Sequence, residues 1–481
     1  MIRVHDTLTG KIVDLEPARP GRISMYVCGP TVYNQIHIGN ARSMVWFDMI
    51  RRYLRYRGFE VMYVQNYTDV DDKIIERANL EGIAAEAVAN KYEHAYELVM
   101  GALGAEQPDI LVRATQHIED MVAAIKGLID RGMAYESGGN VWFSVEAFPG
   151  YGKLSNRSLD DMRAGERIEP SEHKRNPLDF ALWKSAKEEE PSWPSPWGPG
   201  RPGWHIECSV MSTKYLGMGF DIHGGGSDLI FPHHENEIAQ AEGLMGSEPF
   251  ARNWLHAGMV QMEAEKMSKS LGNFVLTAEI VERFDPEAVR YWALMGSYRS
   301  QVTFSEATLN DATQAHSRWA TFLTAARHAL GDDAPTDLVT HRPVDAAEGE
   351  PLPQYVARAV EGLDDDFNSA AAFAAIHDLV REANRSIEGA QLNEPEAKKT
   401  LSGLLEQFLE LTHLFGFTFP RTTEGTEILG ALVEYLLELR EDARKDKSFD
   451  RADAIRARLI EIGVAVEDTP AGPRWRIADN G

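Results

Sequence analysis

Cys28 and Cys208 are the only two thiols in this chain, and the residues around them suggest what they do. Cys28 closes the apolar run Ile23-Ser24-Met25-Tyr26-Val27, and Cys208 follows Trp204-His205-Ile206-Glu207. Further on comes Phe231-Pro232-His233-His234-Glu235-Asn236-Glu237, in which His233 and Glu237 are four residues apart. A helix begun at Pro232 puts that imidazole and carboxylate on one face. With both thiolates they make a Cys₂-His-Glu set of the kind that holds tetrahedral zinc. The same residues also fit two small core hydrophobes and a pair of helix-capping histidines, and spacing alone leaves both readings open.

Two further clusters suggest phosphate chemistry. His37-Ile38-Gly39-Asn40 lies between a predicted strand and a predicted helix. In a parallel sheet that is the carboxyl edge, where helix N–H groups meet phosphates. Gly39 permits close approach of a nucleotide, while His37 and Asn40 offer hydrogen bonds; helix capping is the plainer alternative. Lys266-Met267-Ser268-Lys269-Ser270 sets two lysines three apart among small residues. Such a loop can clamp charge that develops on a triphosphate, or it can be an ordinary solvated loop.

The elements that must position these groups follow from hydrophobic patterning. Ile23 to Cys28 reads as a buried strand, Asn40 to Arg55 as a helix with Arg42, Asp48, Arg51, Arg52 and Arg55 on its polar face, and Val61 to Val64 as a second strand. Strand, helix, strand is a βαβ unit of a parallel sheet. Residues 69–132 read as helical and 140–204 as an irregular, Pro-, Gly- and Trp-rich insertion; strands resume at Phe220 to His223 and Asn253 to His256. The sheet is therefore expected to be split in sequence. Beyond Glu287 the pattern is helical to Phe419, interrupted by an acidic linker from Gly331 to Pro353, and the chain ends in a helical pair and a hairpin near Pro470 to Pro473.

Composition narrows the class. With 43% hydrophobic residues the chain can build real cores, and no apolar run reaches the roughly 18 to 20 residues of a membrane span. No apolar leader opens the chain, so a cytoplasmic location is expected. A net charge of −25 argues against coating nucleic acid by charge alone, so any such contact must be local. The stretch Arg440 to Arg458 is locally positive.

Taken together, several blocks resemble the signatures of bacterial cysteinyl-tRNA synthetases, a class I family. They are Met25 to Tyr33, His37 to Arg42, Asn66 to Lys73, Gly203 to Ser209, Asp221 to Asp228, Phe231 to Gln240, Lys266 to Asn273, and Asp364 to Ser369, with Glu467 to Pro470 and Trp475 near the end. The resemblance covers essentially the whole chain. It implies an α/β architecture in which a Rossmann-type parallel-sheet catalytic domain (1–110 and 203–300) is split by a connective insertion (111–202). A helical bundle (301–425) and a small anticodon-binding domain (426–481) follow.

By the same resemblance, Cys28, Cys208, His233 and Glu237 hold one zinc ion. His37, Asn40, Lys266 and Lys269 serve catalysis. Gly39, Gly226, Asp228 and Lys269 bind ATP, which arrives with Mg²⁺. Trp204, His205, His223 and Thr68 contact the amino acid, and Arg444, Asp453 and Asp468 the anticodon. The implied reaction joins L-cysteine to tRNA(Cys) through cysteinyl-adenylate, by a monomer with no membrane partner. Zinc would select a thiolate over serine's hydroxyl, far more strongly than the about 1 to 3 kcal/mol a methylene is worth in a pocket. Position 40 is asparagine where the wider class has a second histidine, which shifts phosphate stabilisation toward His37 and Lys269; Phe449 stands where a stacking Trp is more familiar. A related ligase that joins cysteine to a glucosaminyl-inositol shares the zinc site but lacks the C-terminal module. A silent tRNA-binding paralogue would need a broken activation site.

Overall fold

The structure is a computed structural model that describes residues 1–159, 162, 173–188, 190–246, 249–262, 275–335, 340, 342, 352–388, 394–419, 423–446, 448–461, 464–469 and 472–477. A hairpin of β1 (Arg3–Asp6) and β2 (Lys11–Asp14) opens the chain and leads into β3 (Arg22–Val27), α1 (Ile38–Tyr56) and β4 (Glu60–Tyr67). Next come α2 (Asp72–Glu81), α3 (Ala85–Ala102) and β5 (Ile110–Arg113). After an intervening segment, β10 (Phe220–Gly226) and β11 (Ala251–Ala257) complete one five-stranded sheet in the order β11-β10-β3-β4-β5, parallel throughout. Its central strands are buried on both faces, which is why β3 reads as an almost continuous apolar run.

The intervening segment is more ordered than its Pro- and Gly-rich composition suggests. α4 (Ile118–Asp130) precedes a four-stranded antiparallel sheet of β6 (Ala134–Ser137), β7 (Asn140–Phe143), β8 (Phe180–Ser185) and β9 (Gly200–Pro202). These strands are only three to six residues long, too short for alternation to show in a sequence. β5 escaped the helical reading of 69–132 for the same reason.

Then come α5 (Trp204–Leu216), α6 (Glu235–Met245), β12 (Val260–Met262), α7 (Thr277–Arg283), α8 (Pro286–Leu294) and β13 (Val302–Phe304). α6 begins at Glu235, not at Pro232. Phe231 is extended (φ −138°, ψ 131°), as the residue before a proline prefers, and the helical path becomes regular only three residues later.

The predicted polar face of α1 is also corrected. Arg42, Asp48 and Arg51 are fully buried, because other parts of the fold cover that face. Arg42 donates to the carbonyls of Gly258 and Ser297, Asp48 accepts from Arg290 of α8, and Arg51 donates to Gln107 O and Glu106.

The remaining helices of this unit are α9 (Glu306–Leu330), α10 (Gln354–Asp364), α11 (Ser369–Glu388) and α12 (Pro395–Leu414). They close around Trp319, which meets Phe373, Phe408 and Phe417 edge-on. Most of the acidic linker before α10 lies outside the described residues. The chain separates into two compact units, Met1–Phe417 and Thr418–Gly481. The second holds α13 (Thr423–Lys445), α14 (Phe449–Glu461) and an antiparallel hairpin of β14 (Val464–Thr469) and β15 (Gly472–Ile477), with Val433, Leu437, Leu459 and Val464 in its core. Pro470 and Ala471 of the predicted turn lie outside the described residues.

Candidate functional site

Strand order locates the site before any side chain is considered. From β3 the chain adds β4 and β5 on one side and later β10 and β11 on the other, so the order reverses between β3 and β10. In open parallel sheets ligands bind outside the carboxyl ends of strands at such a reversal. Cys28 directly follows β3, Thr68 directly follows β4, the glycines Gly224 to Gly226 end β10, and His37 starts α1. Gly29 lets these edges close up: a Cβ there would lie 1.8 Å from Asn66 O.

Here the four proposed metal ligands converge. Cys28 Sγ lies 3.6 Å from His233 Nε2 and 3.4 Å from Glu237 Oε1, His233 Nε2 lies 2.9 Å from Glu237 Oε1, and Cys208 is near enough to Cys28 and His233 for both to act on its ionisation. All four are buried. Tetrahedral zinc, with Zn–S of about 2.3 Å and Zn–N of about 2.0 Å, holds its sulfur and nitrogen ligands roughly 3.5 Å apart, and the 3.6 Å between Cys28 Sγ and His233 Nε2 fits that ion. The described donors that all lie within 4.8 Å of one another are Cys28, His233, His234 and Glu237, a group that does not include Cys208; within it His234 Nε2 is 3.9 Å from Glu237 Oε1.

Neighbouring groups set the charge of this cluster. Burial opposes ionisation of Glu237, yet His223 and His233 hold its carboxyl well below the usual range. Burial would keep His233 neutral, but Glu237 beside it raises it to about 10. At Cys208 burial is outweighed by hydrogen bonds from Cys28 and His233, which bring the thiol down to about 6; burial and its hydrogen bond to Cys208 push Cys28 up. Without metal, a proton therefore sits where the ion's charge would go.

Two of the residues assigned to the amino-acid pocket also touch the proposed metal ligands. His223 is fully buried, its Nε2 2.8 Å from Glu237 Oε2 and its ring stacked on Trp254. His205 Nδ1 meets His233 Nδ1 at 2.9 Å and so orients that ligand. Trp204, half-buried and one helical turn before Cys208, stacks on His233 with ring centres 4.2 Å apart. Thr68 donates to Glu207 Oε2 at 2.8 Å, and burial pushes that carboxyl well above its ordinary range.

Several groups here carried no sequence signal. Thr7 meets His256, which meets His234 at 2.7 Å, forming a polar chain that ends beside Glu237. Glu235 accepts from the backbone of Gly152, Leu154 and Ser155 and from the Ser155 hydroxyl, all in the insertion. Adjacent acidic and histidine positions in the block at 231–237 hinted at extra duties, but their partners are distant in sequence.

At the nucleotide end the picture changes. His37 caps α1, its Nδ1 accepting from Gly39 N and Asn40 N, while Ile38 N donates to Val275 O and Ala41 N to His37 O. The first N–H groups of the helix are thus used internally and are not open to phosphate. His37, with Nδ1 an acceptor and burial holding it neutral against the pull of Asp228, carries its proton on Nε2. Asp228 is exposed near it. The triple glycine serves packing as much as ligand approach: a Cβ on Gly224 would strike the Phe47 ring at 2.3 Å, and one on Gly225 would meet His234 at 2.8 Å. Only at Gly226 is the neighbour Asp228 itself.

Lys266 and Lys269 lie outside the described residues. The chain on either side of them reaches the start of α1: Val275 O takes the Ile38 N–H, and Val260 Cβ is 3.7 Å from where a Cβ on Gly39 would be. In the second unit Arg444, Asp453 and Phe449 are exposed, whereas Arg440 is buried and withdrawn from the positive stretch; the Asp468 side chain is outside the described residues.

The profile of the class I (C) catalytic domain of tRNA synthetases matches residues 14–314, that of the DALR domain 360–420, and that of the cysteinyl-tRNA ligase anticodon binding domain 427–476. Methionyl-tRNA synthetase of Mycobacterium tuberculosis in complex with methionyl-adenylate superposes with a TM-score of 0.57 over 82% of this chain and 89% of its own, at 17% identity, a likeness of fold alone. Fold and site therefore define a class I aminoacyl-tRNA synthetase. Cysteine–tRNA ligase of Moorella thermoacetica is 49% identical over 98% of this chain and 99% of its own, and that of Syntrophotalea carbinolica 48% identical over 99% of each. The chain belongs to the cysteine–tRNA ligase family.

Proposed function

We propose that the protein activates L-cysteine with ATP and transfers it to the 3′-terminal adenosine of tRNA(Cys). The observation that carries this reading is the convergence of Cys28, His233 and Glu237 at the reversal point of a class I sheet, with the buried Cys208 acting electrostatically on the same cluster. Zinc held by these four would supply a Lewis-acid position that accepts a thiolate and holds a hydroxyl poorly, separating cysteine from serine by coordination chemistry.

The residues around it orient and neutralise charge. Trp204 covers the ligand His233 and forms an apolar wall for the substrate's β-carbon. The carboxylate of cysteine attacks the α-phosphate of ATP, pyrophosphate leaves, and the ribose hydroxyl of the terminal adenosine displaces AMP from the adenylate. His37 donates from Nε2 to phosphate oxygen, and the half-buried Asn40 adds a neutral donor. Lys266 and Lys269 supply the cations; their flanking chain meets the start of α1, which supports the assignment. Gly39, Gly226 and Asp228 receive the adenosine. Mg²⁺ comes with the triphosphate, as this ion is usually bound through substrate phosphates.

We divide the chain into the catalytic domain at 1–110 and 203–300, the insertion at 111–202, the helical bundle at 301–425 and the anticodon-binding domain at 426–481. In the last, Arg444, Asp453 and Asp468 read the anticodon, with the exposed ring of Phe449 as a stacking surface. The match of 427–476 to an anticodon binding domain favours tRNA over glucosaminyl-inositol as acceptor. No helix among the described residues is long and apolar enough to cross a membrane.

Metal analysis combined with ATP–pyrophosphate exchange tests the reading. One zinc per chain and exchange dependent on cysteine, but not on serine, is expected. Metal-free protein that still exchanges with cysteine, or zinc-loaded protein that does not, overturns it.

A further inference from the structure

Asp366 and Phe367, in the turn between α10 and α11, are left-handed (φ 59° and 52°) although neither is glycine, and both are buried. Two adjacent residues with side chains are costly in that region, and such backbone persists only where its surroundings hold it. Here they do. Asp366 N donates to Arg3 O at 2.9 Å, and Phe367 meets the rings of Tyr53 and Tyr298 edge-on. The Ser369 hydroxyl lies 2.5 and 2.7 Å from the carbonyls of Leu294 and Gly296, at the end of α8.

The turn aims one carboxylate. Asp366 Oδ1 accepts from His5 N at 2.8 Å and from the Tyr298 hydroxyl at 3.1 Å, and Oδ2 accepts from Arg299 Nε at 2.7 Å. Among the described residues no other carboxylate pairs with Arg299. The loop so held stands behind the nucleotide end. Tyr298 O takes the Gly258 N–H at 2.7 Å, and Gly258 packs so closely that a Cβ there would lie 2.4 Å from both Arg299 O and Ser300 O. Val302 N donates to Met259 O, and β13 pairs with β12 with Val302 opposite Val260. Val260 Cβ is 3.7 Å from where a Cβ on Gly39 would be, and the buried Arg42, three residues further along α1, binds the carbonyls of Gly258 and Ser297. The wall opposite Gly39 is therefore built on residues 297–302, and Asp366 holds those residues from the far side.

We propose that Asp366 is a positioning residue for ATP. Through Tyr298 and Arg299 it sets the 297–302 loop, and through Gly258 and Val260 that loop sets the gap between β12 and the first turn of α1. Asp366 itself touches no reactant. The proposal rests on the reading that Gly39 and the start of α1 receive the nucleotide. Cys28, His233 and Glu237 make none of these contacts, so the two substrates respond differently to a change at Asp366.

The test uses pyrophosphate exchange at varied ATP and varied cysteine in the full-length, zinc-loaded protein. Asp366→Gly keeps the left-handed backbone without steric cost and removes only the carboxylate, so a turn that serves folding alone would leave exchange as in wild type. Instead kcat/KM for ATP is expected to fall by about tenfold or more, with the KM for cysteine within about twofold and the metal content unchanged. Asp366→Asn keeps an acceptor for His5 N and Tyr298 but none for Arg299, and should fall between the two. Tyr298→Phe combined with Arg299→Leu should reproduce Asp366→Gly, and adding Asp366→Gly to that pair should cost little more, as expected of residues acting through one contact. Wild-type ATP kinetics in Asp366→Gly, equal losses for ATP and cysteine, or fully additive effects overturn the proposal. Should Asp366→Gly fail to fold, Asp366→Asn and the Tyr298–Arg299 pair decide by the same criteria. Wild-type protein that shows no cysteine-dependent exchange overturns the reading of the function instead, and calorimetric ATP binding to the same variants then decides the role of Asp366.

Discussion

The metal end and the nucleotide end of the site are built differently. At the metal end two of the proposed ligands have a protein group behind them: His233 has His205 and Glu237 has His223. At the nucleotide end His37 is bound to its own helix, Asp228 is exposed, and Val275 meets the start of α1. The first arrangement suits selection of a small substrate, which needs donors held in place before binding. The second suits a reaction whose charge moves, since donors that meet phosphate only in the transition state raise kcat rather than binding.

The largest effect expected from this contrast is at the metal end. Cys208→Ser should lose zinc and, with it, several kcal/mol of Lewis-acid stabilisation, a fall on the order of 10³-fold or more in cysteine activation; a zinc-replete, active variant removes Cys208 from the ligand set. Lys269→Ala should slow pyrophosphate exchange by on the order of 10²-fold, with the KM for cysteine little changed. An unchanged rate would mean the nucleotide end does not rely on it. His223→Leu leaves all four ligands in place but takes the partner from Glu237, and about a 10- to 100-fold loss of zinc affinity is expected in a chelator competition. Affinity equal to wild type would show that the cluster needs no backing.

The smallest effect is on pH. Zinc must displace the thiol proton of Cys28, the proton that Glu237 helps hold on His233 up to about 10 and, below about 6, a third one from Cys208. Metal therefore competes with protons, and affinity should rise with pH through this range and fall as pH drops. Each proton displaced changes affinity by about tenfold per pH unit, and calorimetry in buffers of different ionisation enthalpy counts them. Uptake without proton release would contradict the charge state described for the cluster.

What could be read from the sequence depended on the range of each interaction. Cys28, Cys208, His233 and Glu237 were recognisable as donor types in recognisable blocks, and β3, α1 and β4 as periodic runs. The helical phase of α1 was right, but its charged face was assigned to water. Arg42, Asp48 and Arg51 are instead covered by α8, the loop at 297–298 and residues 106–107. Periodicity reports which residues share a face, not what lies opposite. For the same reason the contact of His223 with Glu237, and the partners of Glu207 and Glu235, 139 and up to 83 residues away, could not be anticipated.

The bonding of Glu235 bears on how the chain can vary. Residues 233–237 divide their work: His233 and Glu237 belong to the proposed metal cluster, while Glu235 and Asn236 are bound to Tyr151, Gly152, Leu154 and Ser155 of the insertion. The insertion is therefore not a detachable accessory. Excising it would strip four donors from a carboxylate two residues from the metal ligands, so its length and outer strands are free to diverge while the 151–155 segment must change in step with the helix that carries the ligands.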